Sequence, residues 1–105
     1  MLQDLTKSMF AQSLNSAFRI RLEDDAIVHV KQIDLREWHY NPRQEQFAVL
    51  FQGPFNKHLG KGHYNFDHDT MGQFDLFIIP VGMDQDGFLY GAVFNRRTEP
   101  NSSCL

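Results

Sequence analysis

Acid–base or metal chemistry in this chain would have to come from one cluster in its second half, which consists of His63, Asp67, His68 and Asp69, with His58 nearby. Residues 63–68 alternate as a β-strand does, which places His63 and Asp67 on one face and His68 on the other. Four residues of strand span about 13 Å, so His63 and Asp67 cannot both bind a zinc ion at about 2 Å unless another element folds over them. We therefore predict no metal site and no bound cofactor.

His68 is expected on the apolar face of that strand, together with Tyr64 and Phe66. A histidine in such a place is most often hydrogen-bonded within the core or a turn, and Asp69 is the nearest candidate partner. The alternative is a hydrolase that uses the two residues on the outer face.

The nucleophiles that covalent catalysis needs are badly placed in the sequence. Every serine precedes residue 17 or follows residue 101, and the only cysteine, Cys104, is next to the C-terminus. No pairing of a serine or cysteine with a histidine is therefore predicted, and we expect that the protein is not an enzyme. With one cysteine no intrachain disulfide can form, so packing must hold the fold together.

The composition indicates one folded domain that does not bind nucleic acid. The chain has 105 residues, of which 42% are hydrophobic and 13% aromatic, so it can build one core but not two. Its net charge is −3 and it contains no long basic run, which argues against nucleic-acid binding. Neither an export signal nor a membrane span is visible, so a cytoplasmic location is expected.

The most apolar stretch, residues 73–82, is predicted to be the central strand. Its second half carries no polar side chain on either face, so we expect protein to cover both faces. The turn formers that follow predict a hairpin to residues 88–94, with Gly87 at positive φ. Pro80 donates no hydrogen bond, so it should lie near the strand end, at a bulge, or where its nitrogen faces away from a neighbouring strand.

Further strands are predicted on both sides of the middle of the chain. Residues 17–30 predict two antiparallel strands joined at Asp24-Asp25, after which the apolar alternation changes parity, and a bulge near Gln32 would explain that change. Residues 47–51 predict a strand buried on both faces. Together these elements predict a mainly β fold, a small antiparallel barrel or sandwich of about six strands with a short N-terminal helix.

The N-terminal helix is predicted within residues 1–16, where Thr6 is placed to cap it. Its apolar positions recur at near-helical spacing: Leu2, Leu5, Met9 and Leu14. We expect this helix to cover one open end of the β core, and the alternative is a docking helix for a partner. The domain is predicted to span residues 1–97, and residues 98–105 are expected to be a flexible tail.

Residues 36–46 are polar, contain the turn signal Asn41-Pro42, and are predicted to be the longest loop of the domain. This loop concentrates the residue types that dominate protein interfaces, namely Arg36, Trp38, His39, Tyr40 and Arg43. We predict that these residues form the binding site of the domain. The alternative is that Trp38 folds back onto the core.

Three phrases occur in order along the chain: FAVLFQGP at 47–54, GHYNFDH at 62–68, and FDLFIIPV at 74–81, which leads to AVFNR at 92–96. Together they resemble a family of small bacterial domains of unknown function whose pattern is FxLLFxGP, GxYxxxH, FxLFIxPV and YxAVFN. The resemblance covers roughly residues 18–96. The pattern implies a Glu where this chain has Gly91. The resemblance implies no activity or ligand, only an association with phage-tail-like and cell-surface gene neighbourhoods.

These observations favour a protein–protein interaction or assembly module, because large aromatic side chains are plentiful and catalytic groups are not. The partner would be another protein or a second copy of the chain. The setting that the resemblance implies is a phage-tail-like or surface apparatus. A β-barrel that binds a small molecule in its mouth is the second hypothesis, and a hydrolase is the third.

The substitution Trp38→Ala separates the two interpretations of the predicted loop. If Trp38 plugs the core, the variant loses roughly 3–5 kcal/mol of unfolding free energy. If Trp38 is an exposed anchor, stability changes little, but association weakens by about 2 kcal/mol or more. The predicted binding loop requires the second outcome, and denaturation together with sedimentation distinguishes the two. Marked destabilisation with unchanged association would contradict the interface interpretation.

Overall fold

The computed structural model describes residues 6–38 and 44–97. Their elements are α1 (Lys7–Gln12), β1 (Ala17–Arg21), β2 (Ile27–Trp38), β3 (Gln44–Gly53), β4 (Gly62–His68), β5 (Gly72–Met83) and β6 (Phe88–Arg97). The strands pair antiparallel in the order β1-β2-β3-β6-β5-β4, and β4 closes onto β1. The predicted mainly β fold is confirmed, and its architecture is a closed barrel. The predicted C-terminal tail lies outside the described residues.

The first hairpin forms as its alternation predicts. Phe18 and Ile20 point into the barrel and are fully buried, whereas their neighbours on β1 face outward. Asp25 closes the turn between β1 and β2 in the left-handed region, with φ at 67°, which a short polar side chain tolerates. The register of β2 against β3 shifts between Gln32 and Asp34, which confirms the predicted bulge.

Phenylalanine rings fill most of the barrel interior. The ring centroids of Phe18 and Phe51 lie 5.3 Å apart, as do those of Phe51 and Phe66, and Phe66 stacks on Phe74 at 5.7 Å. These are the separations of favourable aromatic pairs. A six-stranded barrel encloses a narrow space, so a few large rings are sufficient to fill it.

Helix α1 covers the end of the barrel at which β1 begins, which we call the helix end. Thr6 caps the helix as predicted, because its side chain accepts a hydrogen bond of 3.2 Å from the N–H three residues on. The ring of Phe10 is fully buried, and the carbonyl of Phe10 accepts a hydrogen bond of 2.9 Å from Gln32 Nε2. Four rings surround it at centroid distances of 5.3–6.4 Å: Phe18, Phe47, Phe74 and Phe94. The helix is therefore the expected cover, and it acts through Phe10 together with the predicted Met9, which is partly buried against the core. Of the other predicted positions, Leu14 is exposed, and Leu2 and Leu5 lie outside the described residues.

The opposite end of the barrel, which we call the loop end, is covered by residues 54–61 between β3 and β4. Leu59 is buried there, and its N–H donates a hydrogen bond of 2.9 Å to the hydroxyl of Tyr90, which is itself fully buried. Side chains therefore occupy both ends of the barrel. In the described part of the chain no helix is long and apolar enough to cross a membrane.

Strand β5 is not covered on both faces, and this prediction was wrong. Leu76 and Ile78 are buried, but Phe77 and Ile79 are each 41% exposed and Val81 is 57% exposed. The outward residues of β3 are likewise only half buried. The physical reason is that a single sheet closed into a barrel has one inner face and no second layer to cover the outer one.

The prediction of a loop over residues 36–46 was wrong at both ends. Strand β2 continues to Trp38 and β3 begins at Gln44, and Trp38 lies opposite Gln46 in the ladder. The polar side chains suggested a loop, but polar residues are also common on the solvent-exposed outer face of a barrel strand. The longest irregular segment among the described residues is 54–61.

Strand β6 pairs with its two neighbours over different lengths. It pairs with β3 along its whole length, but with β5 only through Phe88–Gly91. The register of this short seam shifts between Pro80 and Gly82, so Pro80 lies at a bulge as predicted. Beyond Gly91, among the described residues, the β5-facing edge of β6 has no paired strand.

Gly87 is needed for a close approach and not for a positive φ, which corrects the sequence prediction. Asp84 holds the turn: its Oδ1 accepts hydrogen bonds of 2.8 Å from the N–H of Asp86 and 3.0 Å from that of Gly87. Gln52 Nε2 donates to the same carboxylate at 2.8 Å. A Cβ atom at Gly87 would overlap the backbone carbonyl of Gly53.

The substitution Gly87→Ala should lower the unfolding free energy by about 1–3 kcal/mol, because the added methyl group forces a backbone shift. Gly60→Ala is the control, since a Cβ there meets nothing within 4 Å and its φ is not positive. That change should be neutral or stabilise by up to about 1 kcal/mol. Urea denaturation measures both variants, and equal midpoints would contradict the close-approach explanation.

Candidate functional site

The outer surface of β5, β6 and the adjacent part of β3 carries a cluster of exposed apolar side chains. Val93 is the most exposed of these, at 67%. We call this surface the apolar face, and it consists of Leu50, Phe77, Ile79, Val81, Leu89, Gly91 and Val93. Single exposed apolar residues are ordinary on a protein surface, but a contiguous group of this kind usually marks a binding site.

Strand register brings these residues together around Gly91. Ile79 lies opposite Gly91 on one side and Leu50 lies opposite it on the other. A Cβ at Gly91 would meet only Val81 Cγ1, at 3.5 Å. The centre of the apolar face is therefore a shallow hollow above Gly91, bordered by the side chain of Val81.

Polar and charged side chains border the apolar face. The ring of His63 lies 5.0 Å from that of Phe77 on the β4 side. On the β2 side Asp34 lies opposite Leu50, and Arg36 Nε donates a hydrogen bond of 3.0 Å to Asp34 Oδ2. This hydrogen bond lowers the pKa of Asp34. The arrangement of an apolar centre within a polar border is typical of protein interfaces.

The outer surface formed by β1 and β4 is different in character. Arg19 donates hydrogen bonds of 3.1 Å to Asp67 and 3.0 Å to Asp69, and these bonds raise the pKa of Arg19. Arg19 thus pairs within the chain with both acidic side chains beside it. The side chains of the apolar face, by contrast, are hydrocarbon and make no ion pairs or hydrogen bonds.

The predicted binding residues are only partly described. Arg36 is exposed and lies at the border of the apolar face, on the strand next to Ala48. The backbone of Trp38 belongs to β2, whereas His39, Tyr40 and Arg43 lie outside the described residues. The role predicted for these residues stays a prediction.

The sequence reasoning missed the apolar face, although a signal was available. Residues 76–81 are apolar at both odd and even positions. In a single-layer barrel this pattern means that one set of side chains must face solvent. The prediction of a strand covered on both faces assumed a second layer of protein, which a closed single-sheet barrel does not have.

The outward cluster of His63 and Asp67 does not form a catalytic pair. The ring of His63 packs on Phe77, and Asp67 is engaged by Arg19. Within residues 6–38 and 44–97, no group of three His, Cys, Asp or Glu side chains could hold a metal ion.

A serine and a histidine do meet at the helix end, which the sequence did not predict. Ser16 Oγ lies 2.9 Å from His68 Nε2. His68 is buried, and Phe18 packs on its ring at 4.3 Å. The predicted partner, Asp69, instead accepts a hydrogen bond from Arg19.

The hydrogen bonds around this pair run in the wrong direction for nucleophilic catalysis. The N–H groups of Thr70 and Met71 donate to His68 Nδ1 at 3.1 and 3.2 Å, so Nδ1 carries no proton and the neutral ring carries its proton on Nε2. Nε2 therefore donates to Ser16 Oγ, and Ser16 donates to the carbonyl of Ser13. A catalytic serine must instead donate to the histidine.

Open clefts lie at the rims of the barrel. One of about 670 Å³ lies at the loop end and is lined by charges of both signs, including Arg21, Glu23 and Lys57. A cleft of about 350 Å³ lies beside α1 and includes Ser16 and His68. These are shallow surface features, in contrast to the enclosed apolar site that a small ligand prefers.

Acid should destabilise the fold through His68. Burial is the main cause that lowers the pKa of His68, Arg19 lowers it further, and Asp69 and Asp67 act in the opposite direction. The unfolded chain takes up this proton near its ordinary pKa of 6.5, and the folded chain takes it up only at lower pH. The unfolding free energy is therefore highest above pH 6.5 and falls as the pH drops below it.

The substitution His68→Asn tests this assignment, because the asparagine oxygen can still accept the turn hydrogen bonds but does not titrate. Its unfolding free energy should depend less on pH between 7 and 5 than that of the wild type, as measured by urea denaturation. His63→Asn removes an exposed histidine of the same strand and should keep the wild-type slope. Identical slopes for all three proteins would refute the role of His68.

Comparison with known proteins gives a family but no relative of established activity. The family model described as Domain of unknown function (DUF6916) matches residues 5–94, which is most of the chain. No curated protein and no solved structure matches. The expected resemblance to a small domain family of unknown function is thereby confirmed. The chain belongs to the family described as Domain of unknown function (DUF6916).

Proposed function

We propose that this domain is a protein-association module that binds a partner protein through its apolar face. The observation that carries the proposal is the exposure of Val93, Val81, Phe77 and Ile79 on the outer side of the neighbouring strands β5 and β6. Water contact with apolar side chains costs free energy, and a partner that covers them removes that cost.

The size of this contribution fits an interface core. Full burial of a Val, Ile or Phe side chain contributes about 1.5–3 kcal/mol. Covering the exposed halves of four such side chains would therefore contribute roughly 4 kcal/mol to the binding free energy. Association costs at least about 4 kcal/mol in lost freedom of motion. The polar border must therefore add contacts, and Arg36, one of the predicted binding residues, is placed to supply one.

The other two hypotheses have less support. A small molecule bound in a barrel mouth would have to displace Phe10 at the helix end or Leu59 at the loop end, and both are buried core residues. A hydrolase would need a nucleophile, and the hydrogen bonds of Ser16 run in the wrong direction.

An assembly role also suits the setting implied by the resemblance, a phage-tail-like or surface apparatus. The apolar face offers one contact surface, and it leaves the helix end and the loop end free for others.

A retention experiment tests the proposal. The tagged domain is expressed in the cells from which its gene comes, and retained proteins, including untagged copies of the chain, are identified and then purified to measure binding. Val93→Lys should weaken that binding about tenfold or more, equal to about 1.4 kcal/mol, because it places a charge in the interface core. Ile27→Lys is the matched control, since Ile27 is 45% exposed but lies outside the apolar face.

The wild type and Ile27→Lys should bind the same protein with equal affinity. Equal binding by Val93→Lys, or no specific partner of any kind, would overturn the association proposal. Circular dichroism of each variant establishes that the barrel is intact.

A further inference from the structure

Resting on the proposed function, we propose that the partner is a second copy of this chain, with two barrels packed by their apolar faces around a twofold axis. The proposal follows from the charge, the shape and the size of the apolar face.

The first argument is charge. In a twofold interface a surface patch meets its own copy, so a patch of one charge sign would meet like charge. The apolar face contains no ionisable side chain, whereas the outer faces of β1 and β2 carry exposed Arg21, Lys31 and Arg36. Each chain has a net charge of −3, and the centre of this face is where two copies can pack without bringing like charges into contact.

The second argument is shape. A twofold interface requires that protrusions and hollows occur on the same surface, so that each copy supplies both. The apolar face has its hollow at Gly91, and Ile79 stands directly beside it in the neighbouring strand. Ile79 of each copy can therefore occupy the hollow of the other, with Val93 and Phe77 packed around this contact.

The third argument is size. From Phe77 to Val81 the face runs about 13 Å along the strand, and three strands are about 10 Å across. A stable interface covers about 800 Å² on each partner, so this patch is the core of an interface and not the whole of it. Two identical patches, each contributing a modest apolar area, match a dimer that forms and dissociates with concentration.

Sedimentation equilibrium of the purified wild type tests the proposal. The mass should rise from one to two chains between low and high micromolar concentrations. Ile79→Lys should remain a monomer over the same range. Ile27→Lys should dimerise as the wild type does, because Ile27 has a closely similar exposure, 45% against 41%, but lies on another face.

A charge exchange tests the twofold arrangement itself. Ile79→Lys and Ile79→Glu should each be monomeric alone, and an equimolar mixture should recover the mass of two chains, because opposite charges then meet near the axis. Thermal unfolding of each variant establishes that it is folded. If either fails to fold, Val93→Lys and Val93→Glu provide the same test from the neighbouring strand.

A wild type that stays monomeric at high micromolar concentration would overturn the twofold proposal. So would a dimer that Ile79→Lys leaves intact, or a mixture that stays monomeric. The association proposal can survive that result. If the domain binds a different protein and Val93→Lys abolishes that binding, the association proposal stands and the second copy is excluded as the partner.

Discussion

Closure of a single six-stranded sheet is the constraint from which the rest of this structure follows. Closure gives every strand one inner and one outer face, and it makes the interior so narrow that a few phenylalanine rings fill it. It also leaves two open ends. Phe10 and Leu59 occupy them, and a barrel side chain holds the backbone of each. The carbonyl of Phe10 accepts a hydrogen bond from Gln32, and the N–H of Leu59 donates one to Tyr90.

The same constraint explains where the domain can act. Because the interior is solid, chemistry or recognition has to use the outer surface or the rims. Most outer faces carry charged side chains, and on β1 and β4 Arg19 is paired with Asp67 and Asp69. The apolar face is the exception, and a solvent-exposed group of valine, isoleucine and phenylalanine is costly to keep unless a partner covers it.

Local patterns predicted much of the fold, because they depend on near neighbours in the sequence. The alternation around Phe18, the parity change at Gln32 and the turn signals at Asp24-Asp25 each report a local geometry. The sidedness of β5 was not predictable in this way, since a continuous apolar run is compatible with one covered face or two. The surface features depend on contacts between residues far apart in the sequence. Ser16 and His68 are 52 residues apart, and Gly91 becomes a hollow only when Ile79 and Leu50 lie on either side of it.

The short seam between β5 and β6 links association to stability. Pairing there is limited to Ile79–Met83 and Phe88–Gly91 and is interrupted at Pro80, so this part of the wall opens at a lower free energy than the long β3–β6 ladder. The apolar face lies across this seam. A partner that binds only the closed barrel would shift the opening equilibrium toward the closed form by mass action. Binding would therefore stabilise the β5–β6 seam against local opening.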